Sequence, residues 1–161
     1  MNKFPENLIS QHPLAISIVV WRAVDPLFPL VDDLLENTGG EFHIYIHDNG
    51  NPPKVAKRIA VLGSEKITVS RSERNLGFGS AHNLIAGTIP EDTVCFLNPD
   101  MRVMPDWNVL PLRILLSDPW IGAVGPFIHN TAWYFTELEW IPYINGSCIF
   151  MRTKTARELG P

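Results

Sequence analysis

The sequence predicts an α/β fold in which a largely parallel sheet is covered by helices on both faces. Short apolar segments alternate with segments of helical spacing, in four strand–helix units that follow one another along the chain. Strands joined through helices in this way usually lie parallel. The 161 residues suggest a single domain, residues 1–161, because domains commonly have about 100–200 residues. No internal repeat or linker divides the chain.

The predicted strands are short, apolar and rich in β-branched residues, as is typical of strands buried on both faces. The first reads AISIVVW, and the second, FHIYIH, stops at the turn signal Asp48-Asn49-Gly50. The aromatic segment 127–143 receives no assignment. The predicted strands cover residues 15–21, 42–47, 67–70, 93–97, 121–124 and 148–152.

Helix start and stop signals separate these strands. Asp25-Pro26 supplies an N-cap and a proline at the first helical position, and Gly39-Gly40 ends that helix. A second helix is predicted over residues 53–62, a third with Ser80 as its cap, and a fourth over residues 106–116. The apolar residues at helical spacing are Leu27, Leu30, Val31, Leu34 and Leu35 in the first helix, and Ala81, Leu84 and Ile85 in the third.

Composition and charge exclude several classes of protein. Hydrophobic residues make up 45% of the chain and charged residues 19%, which excludes a disordered chain. The net charge of −4 argues against nucleic acid as a partner, because such proteins carry a basic face. Cys95 and Cys148 lie in apolar runs and are predicted to be buried free thiols, as in a reducing compartment. Without the pattern of a signal peptide or a long apolar segment, we expect a cytoplasmic protein.

Polar residues follow four of the predicted strands, at Trp21-Arg22, Asp48-Asn49-Gly50, residues 71–75 and Asn98-Pro99-Asp100. In a parallel sheet these ends meet at one edge, and ligands bind outside that edge. Three of the four ends are rich in groups that hold a nucleotide, a sugar or a metal. Taken singly, each also has the ordinary composition of a turn. Their clustering on one edge favours a binding site.

A carboxylate at the exit of a buried strand, held by a proline turn, can coordinate Mg²⁺ or Mn²⁺. Asp100, in Asn98-Pro99-Asp100, is such a carboxylate. Mg²⁺ is commonly bound by one or two carboxylates together with substrate phosphates. The alternative is a turn aspartate that caps the next segment. A zinc site at His43 and His47 is rejected, because four residues along a strand span about 13 Å.

Residues 75–83, NLGFGSAHN, form a glycine-bearing loop that opens a helix. The glycines allow a ligand to approach the backbone closely, and a helix N-terminus favours negative charge. The loop is not a dinucleotide fingerprint, because His82 stands where the third glycine is needed. It is not a Walker loop either, because Gly-Lys-Ser/Thr is absent. By itself the loop does not identify a ligand.

Together these segments resemble the family-2 glycosyltransferases of the GT-A-type (Rossmann-like) fold, most closely the bacterial rhamnosyltransferase-like branch. The resemblance covers nearly the whole chain from residue 15. The matching motifs are ISIVV at residues 16–20, HDNG at 47–50, NLGFGSAHN at 75–83, LNPD at 97–100 and NGSCIFMR at 145–152. It implies an inverting, metal-assisted transfer of a sugar, with rhamnose as a candidate, in polysaccharide biosynthesis. The implied donor is a UDP- or dTDP-linked nucleotide-diphosphate sugar, and the implied acceptor is a glycan or a lipid-linked molecule at the inner face of the membrane.

The resemblance also implies roles for single residues. Asp48 would accept hydrogen bonds from the nucleobase, with Trp21 lining that pocket. Asp100 would hold the divalent cation, Mg²⁺ or Mn²⁺, that bridges the diphosphate. Asn98 stands at the first acidic position of the family's Asp-x-Asp motif, as in the rhamnosyltransferase-like branch. The implied nucleotide-sugar-binding residues are Trp21, Asp48, Asn49, Asn75, Gly77, Phe78, Asn83, Asn98 and Asp100.

The sequence offers no residue that we assign as the catalytic base. An inverting transfer needs a base to take the proton of the acceptor hydroxyl. In the family this acid follows a Leu-Gly similar to Leu159-Gly160, near which the chain stops, so we expect the donor-binding part of a longer domain. Two alternatives stay open. One is a catalytically inactive nucleotide-sugar-binding or assembly domain, and the other is a nucleotidyltransferase, which the lack of a glycine-rich, basic loop after the first strand disfavours.

Overall fold

The computed structural model describes residues 11–22, 24–129, 132–134 and 146–160. The first four strands are β1 (Leu14–Val20), β2 (Phe42–Asn49), β3 (Ile67–Ser72) and β4 (Thr93–Leu97). The later strands are β5 (Ala123–Val124), β6 (Phe127–His129), β7 (Ala132–Tyr134) and β8 (Cys148–Arg152). The strands β6 and β7 pair only with each other, as an antiparallel hairpin, within the described residues.

The other strands form one sheet in the order β3-β2-β1-β4-β8-β5. The first four of these strands are parallel, and β8 is antiparallel to both of its neighbours, β4 and β5. Parallel pairing needs a long crossover, which helices provide here. The predicted, largely parallel sheet is therefore confirmed.

Helices pack on both faces of this sheet. The described helices are α1 (Leu27–Asn37), α2 (Pro53–Ala60), α3 (Phe78–Thr88), α4 (Val109–Ser117) and α5 (Thr153–Leu159). Side chains from α1, α2 and α4 form one apolar core, and side chains from α3 and α5 form the other. In β1, Ile16 and Ile18 join the first core while Ala15 and Val19 join the second, as the alternation of a strand requires. The prediction of helices on both faces is confirmed.

Helix starts differ from the expected caps. In α1 the N-cap is Pro26, without a side-chain hydrogen bond, and Asp25 instead pairs with Arg58 of α2 over 2.7 Å. In α3 the N-cap is Gly77, so Ser80 lies in the first turn and the prediction that it caps the helix is wrong. The fourth helix begins three residues later than predicted, because Asp106 has a left-handed φ of 59° that a helix excludes.

Two leucines predicted to face the core are exposed. The buried stripe of α1 consists of Leu27, Leu30, Val31 and Leu34, and Leu35 lies beside it with 43% of its surface exposed. Leu84 of α3 is 53% exposed. Helical spacing predicts the direction of a face but not its width, which the packed neighbours decide.

Cys95 of β4 and Cys148 of β8 face each other inside the core. Both are free and buried, and their Sγ atoms lie 3.8 Å apart. Burial raises the pKa of the Cys95 thiol, which disfavours the reactive thiolate. The prediction of buried free thiols is confirmed.

The aromatic segment 127–143 is only partly described. It contains the strands β6 and β7, and its remaining residues lie outside the described part of the chain, as does Asn145 of the last motif. Among the helices that the structure describes, none has the length and apolar character needed to cross a membrane.

Candidate functional site

The carboxyl ends of the parallel strands meet at one edge of the sheet, as predicted. Val20 of β1 lies beside Asp48 of β2, and Asp48 lies beside Arg71 of β3. On the other side of β1, Ile18 pairs with Leu97, the last residue of β4. The segments that follow these strands therefore leave the sheet at the same edge.

Asp48 is buried, with 1% of its surface exposed. Its Oδ1 accepts hydrogen bonds from the backbone N–H and the Nδ2 of Asn51, over 3.0 and 2.7 Å. Its Oδ2 accepts one from Nε of Arg71 over 2.9 Å, and the Arg71 guanidinium also donates to the backbone oxygen of Asn51. Each carboxylate oxygen has about two acceptor positions. Among the described residues, three of these four positions are filled, one on Oδ2 has no partner, and the side chain is 2% exposed.

Asn51 also joins β1 to β2. Its Nδ2 donates to the backbone oxygen of Val20, and its Oδ1 accepts from the backbone N–H of Arg22, each over 2.8 Å. The hydrogen bond from the Arg22 N–H holds Arg22 in a left-handed conformation with a φ of 66°. A non-glycine residue adopts this conformation at a cost of about 1–3 kcal/mol. The Arg22 guanidinium lies 4.0 Å over the ring of Trp21, which is 41% exposed. An aromatic ring and a cation thus border the end of β1.

Asn49 connects the end of β2 to the loop before α3. It is 1% exposed, and its Nδ2 donates to Oδ1 of Asn75 over 3.0 Å and to the backbone oxygen of Gly77 over 3.4 Å. The backbone N–H of Leu76 donates to Oδ1 of Asn49 over 2.9 Å. Gly50 approaches the same loop so closely that a Cβ would lie 2.4 Å from the carbonyl carbon of Arg74. Asn49 and Asn75, both predicted ligand residues, hold each other in place.

The N-terminus of α3 is open. Gly77 has a φ of +85° that glycine tolerates, and no side chain caps the first turn. Phe78, the first residue of the helix, is 48% exposed and packs its ring against that of His82, with centroids 4.4 Å apart. The unpaired N–H groups of such a turn favour an anion. The structure thus joins Gly77 to the strand ends through Asn49, with Phe78 following directly.

Asn83 lies farther along α3, away from these hydrogen bonds. A Cβ on Gly160 would lie 2.8 Å from the Asn83 amide, so the side chain packs against the end of α5. It borders a cleft of about 710 Å³ whose lining includes Arg74, Asn75 and Arg157. The Arg157 guanidinium donates to the backbone oxygens of Ala86 and Ile89 at the end of α3. The structure therefore places Asn83 at the same cleft as Asn75, another predicted site residue.

Asp100 follows β4 and is exposed. The backbone N–H of Asn98 donates to the oxygen of Ser147 over 2.9 Å, and that of Met101 donates to the oxygen of Asn98 over 3.4 Å. Within the described ranges, the Asp100 carboxylate forms no hydrogen bond or ion pair, and no group of three His, Cys, Asp or Glu residues could hold a metal. A single free carboxylate at a strand end fits Mg²⁺ or Mn²⁺ that takes its other ligands from phosphates and water.

Two histidines form a buried polar cluster under α3. His82 shares a 2.7 Å hydrogen bond with Oγ of Ser17, while its Nε2 is buried without a partner among the described residues. Burial, with a smaller effect of nearby His47, lowers the pKa of His82 to about 3. His47 contacts the hydroxyls of Ser70 and Ser72. His82 is therefore a neutral core residue, which packs α3 against β1.

Sequence reasoning missed Asn51, Arg71 and Arg22 as parts of the site. Arg71 and Arg22 stand at predicted strand ends, and that position was the signal in the sequence that could have identified them as site residues. Asn51 lies between the turn at Asp48-Asn49-Gly50 and a proline pair, and no motif in the sequence marks it. Apart from the contact of Asn51 with Asp48, their hydrogen-bond partners are 20 to 31 residues away along the chain, so the folded sheet is needed to bring them together.

The fold and the clustered strand ends define a protein of the GT-A class, as the comparisons confirm. Residues 16–157 match the sequence model described as glycosyl transferase family 2, so the chain belongs to that family. No curated protein matches the sequence.

Solved glycosyltransferases share the fold. A mannosyltransferase of Pyrobaculum calidifontis, in complex with GDP-Man and Mn²⁺, has a TM-score of 0.71 at 14% identity over 91% of this chain and 46% of its own. The 1–349 form of S. aureus TarS has a TM-score of 0.64 at 11% identity over 88% of this chain and 47% of its own. GalNAc-T7 with UDP, GalNAc and Mn²⁺ has a TM-score of 0.56 at 18% identity over 65% of this chain and 20% of its own. This chain thus spans less than half of each of these chains.

Proposed function

We propose that this chain is the donor-binding part of an inverting glycosyltransferase that uses a UDP- or dTDP-linked sugar and a divalent cation. The observation that carries the proposal is the buried Asp48 carboxylate, which Asn51 and Arg71 hold at the same sheet edge as the exposed Asp100 and which keeps one acceptor position unfilled. The family membership and the nucleotide-bound relatives support the reaction class. Rhamnose as the sugar, a glycan or lipid-linked acceptor, polysaccharide biosynthesis and a cytoplasmic location at the inner membrane face belong to the same proposal.

The nucleobase binds at the ends of β1 and β2 in this proposal. Trp21 offers an exposed aromatic face for stacking, and aromatic stacking of bases contributes about 1–3 kcal/mol each. Asp48 accepts the imino N–H of uracil or thymine on Oδ2. Asn51 and Arg71 occupy the other three acceptor positions of that carboxylate. A base with a single imino donor matches the one position that is left, whereas guanine presents two adjacent donors.

The diphosphate lies toward β4 in this proposal. β1 lies between β2 and β4, so the axes of β2 and β4 are separated by two strand spacings, about 10 Å. Asp100 at the end of β4 would hold Mg²⁺ or Mn²⁺, with Asn98 beside it. When bound, the cation offsets negative charge on the leaving nucleotide diphosphate. The transfer also needs a base for the acceptor hydroxyl, and we assign that role to none of the described residues.

Titration calorimetry with UDP-, dTDP- and GDP-sugars in the presence of Mn²⁺ tests the proposal. We expect the wild type to bind the uridine or thymidine donors and Asp100→Ala to lose the Mn²⁺-dependent part of the affinity. Asp92→Ala is the matched control, because Asp92 is an exposed aspartate just before β4, at the opposite edge of the sheet. Equal binding by wild type and Asp100→Ala, or no binding by either, contradicts the proposal.

The second candidate is a catalytically inactive nucleotide-sugar-binding or assembly domain. The observation that favours it is that no catalytic base is assigned among the described residues. Donor binding without turnover, with glycan and lipid-linked acceptors present, would support this candidate. Release of the nucleotide diphosphate together with a glycosylated product would exclude it.

A further inference from the structure

We propose that Asp33 of α1 is a positioning residue for Asp100, through the segment that follows the Asp100 turn. This inference rests on the proposed function, because it concerns the carboxylate that we assign to the cation. Asp33 lies 67 positions before Asp100 in the sequence and carries no motif of its own. The tertiary structure makes the connection through Arg102 and Val103.

Asp33 binds the chain two and three residues after Asp100, at Arg102 and Val103. Nε of Arg102 donates to Oδ2 of Asp33, and Nη2 donates to Oδ1 over 2.7 Å. The backbone N–H of Val103 adds a weaker bond to Oδ2 over 3.4 Å. The paired geometry matches the planar fork of arginine to the two carboxylate oxygens, which fixes orientation as well as distance. The hydrogen bond from Arg102 lowers the pKa of Asp33, so the carboxylate stays ionised.

Residues at the end of α1 and just after it form further hydrogen bonds with the same segment. Nδ2 of Asn37 donates to the backbone oxygen of Val103 over 3.3 Å, and the backbone N–H of Asp106 donates to the oxygen of Asn37 over 2.9 Å. Further on, Nε1 of Trp107 donates to Oγ1 of Thr38 over 3.0 Å. The segment from 102 to 107 therefore lies along α1 at several points, and Asp33 supplies the contact nearest to Asp100.

The other side of the turn is also fixed. The N–H of Asn98 is bound to the oxygen of Ser147 at the start of β8. Asp100 thus lies between an anchor at Asn98 and an anchor at Arg102. A ligand held from both sides loses less conformational freedom when it binds a cation, which is how residues behind a ligand raise its affinity for metal.

The competing explanation is that the ion pair of Asp33 and Arg102 only stabilises the fold and does not position Asp100. Exposed ion pairs contribute little, with typical values of about 0–1 kcal/mol. The chain offers a matched comparison in Asp25 and Arg58, which form a single 2.7 Å contact with Asp25 84% exposed. Arg102 is 68% exposed, but the Asp33 side chain is only 15% exposed, and it accepts hydrogen bonds from a backbone N–H as well as from the arginine.

The experiment measures Mn²⁺ binding by electron paramagnetic resonance, with UDP present, in wild type, Asp33→Asn, Arg102→Lys, Asp25→Asn and Asp100→Ala. Amide exchange at residues 101–103 is measured on the same variants. We expect Asp33→Asn to weaken Mn²⁺ binding about tenfold and to accelerate exchange at Val103. Arg102→Lys, which keeps the charge and loses the fork, should fall between Asp33→Asn and wild type. Asp25→Asn should match the wild type in both measurements.

The two proposals fail in different ways. If Asp100→Ala abolishes Mn²⁺ binding while Asp33→Asn and Arg102→Lys bind like the wild type, the positioning role is overturned and the proposed function stands. If Asp100→Ala binds Mn²⁺ like the wild type, the proposed function fails and the positioning role fails with it. If Asp25→Asn loses as much affinity as Asp33→Asn, the effect belongs to general stability and the inference is overturned.

Discussion

Nδ2 of Asn49 donates a hydrogen bond of 3.0 Å to Oδ1 of Asn75, which joins the end of β2 to the loop that opens α3. The sequence predicts that both residues bind the nucleotide sugar. In the folded chain each holds the other, and Oδ1 of Asn75 also accepts from the N–H of Gly77 over 2.7 Å. Their amides therefore fix the shape of the loop, and a donor beside it would meet a preformed surface.

Asn49→Asp is expected to loosen this loop. The substitution replaces the Nδ2 donor by an oxygen that faces the acceptor oxygens of Asn75 and Gly77. We expect the free energy of unfolding to fall by about 1–3 kcal/mol, measured by urea denaturation, and the amide of Leu76 to exchange faster. Ser80→Ala is the control, because Ser80 is exposed in the first turn of the same helix. Unchanged stability and exchange in Asn49→Asp would show that the loop holds its shape without this amide.

Arg71→Met is expected to weaken nucleotide binding more than Arg74→Met does. Arg71 donates to the buried Asp48 carboxylate, and its removal leaves Oδ2 without that partner. Arg71 is half exposed, so water compensates in part for the lost contact. We therefore expect the free energy of unfolding of Arg71→Met to fall by about 1–2 kcal/mol. Arg74 is exposed and has no ion pair within the described segments. Calorimetric titration of UDP into the two variants checks the prediction, and equal affinities would contradict a role for Arg71 at Asp48.

Gly50→Ala is expected to destabilise the protein, whereas Gly87→Ala is expected to stabilise it. Gly50 has a φ of +81°, and a Cβ there would lie 2.4 Å from backbone atoms of Arg74, so we expect a loss of at least about 2 kcal/mol. Gly87 is exposed in α3, where a Cβ meets nothing within 4 Å. Alanine in a helix is about 0.5–1 kcal/mol better than glycine. Thermal denaturation of both variants should show midpoints that move in opposite directions.

Acid is expected to destabilise the protein through His82. The pKa of His82 is about 3 in the folded chain against an ordinary 6.5, because burial disfavours the imidazolium. Between these values the unfolded chain binds a proton that the folded chain does not. The stabilisation is therefore complete above pH 6.5 and is lost as the pH falls toward 3. The free energy of unfolding should fall by at most about 1.4 kcal/mol per pH unit from this residue.

Urea denaturation between about pH 7.5 and about pH 4.5 measures this effect. His82→Gln should show a shallower dependence on pH than the wild type, with a remaining slope from His47, whose pKa burial also lowers. His43→Gln is the control, because His43 lies on β2, the strand of His47, but contacts Oγ1 of Thr68 near the surface. A slope in His82→Gln equal to that of the wild type would contradict the assignment.

The sequence by itself determined the layout of the fold and predicted the sheet edge of the candidate site. Short apolar runs predict the strands of the sheet, and helical spacing predicts the helices on both faces, because each pattern depends on neighbours within a few residues. The polar residues at the predicted strand ends, near positions 21, 47 and 97, follow from those boundaries, since parallel strands end at one edge. The five ordered motifs indicated the family that the comparisons then showed.

Only the tertiary structure decided which atoms of those residues are free to bind a ligand. Asp48 has three acceptor positions filled by Asn51 and Arg71, Asn83 packs against Gly160, and Arg102 reaches Asp33 across 69 positions of sequence. Periodic patterns carry no information about such pairs, because a hydrogen bond between distant residues depends on the packing of whole elements to within a fraction of an ångström. The sequence thus predicts which edge of the sheet carries the site, while packing determines which of its oxygens already accept hydrogen bonds.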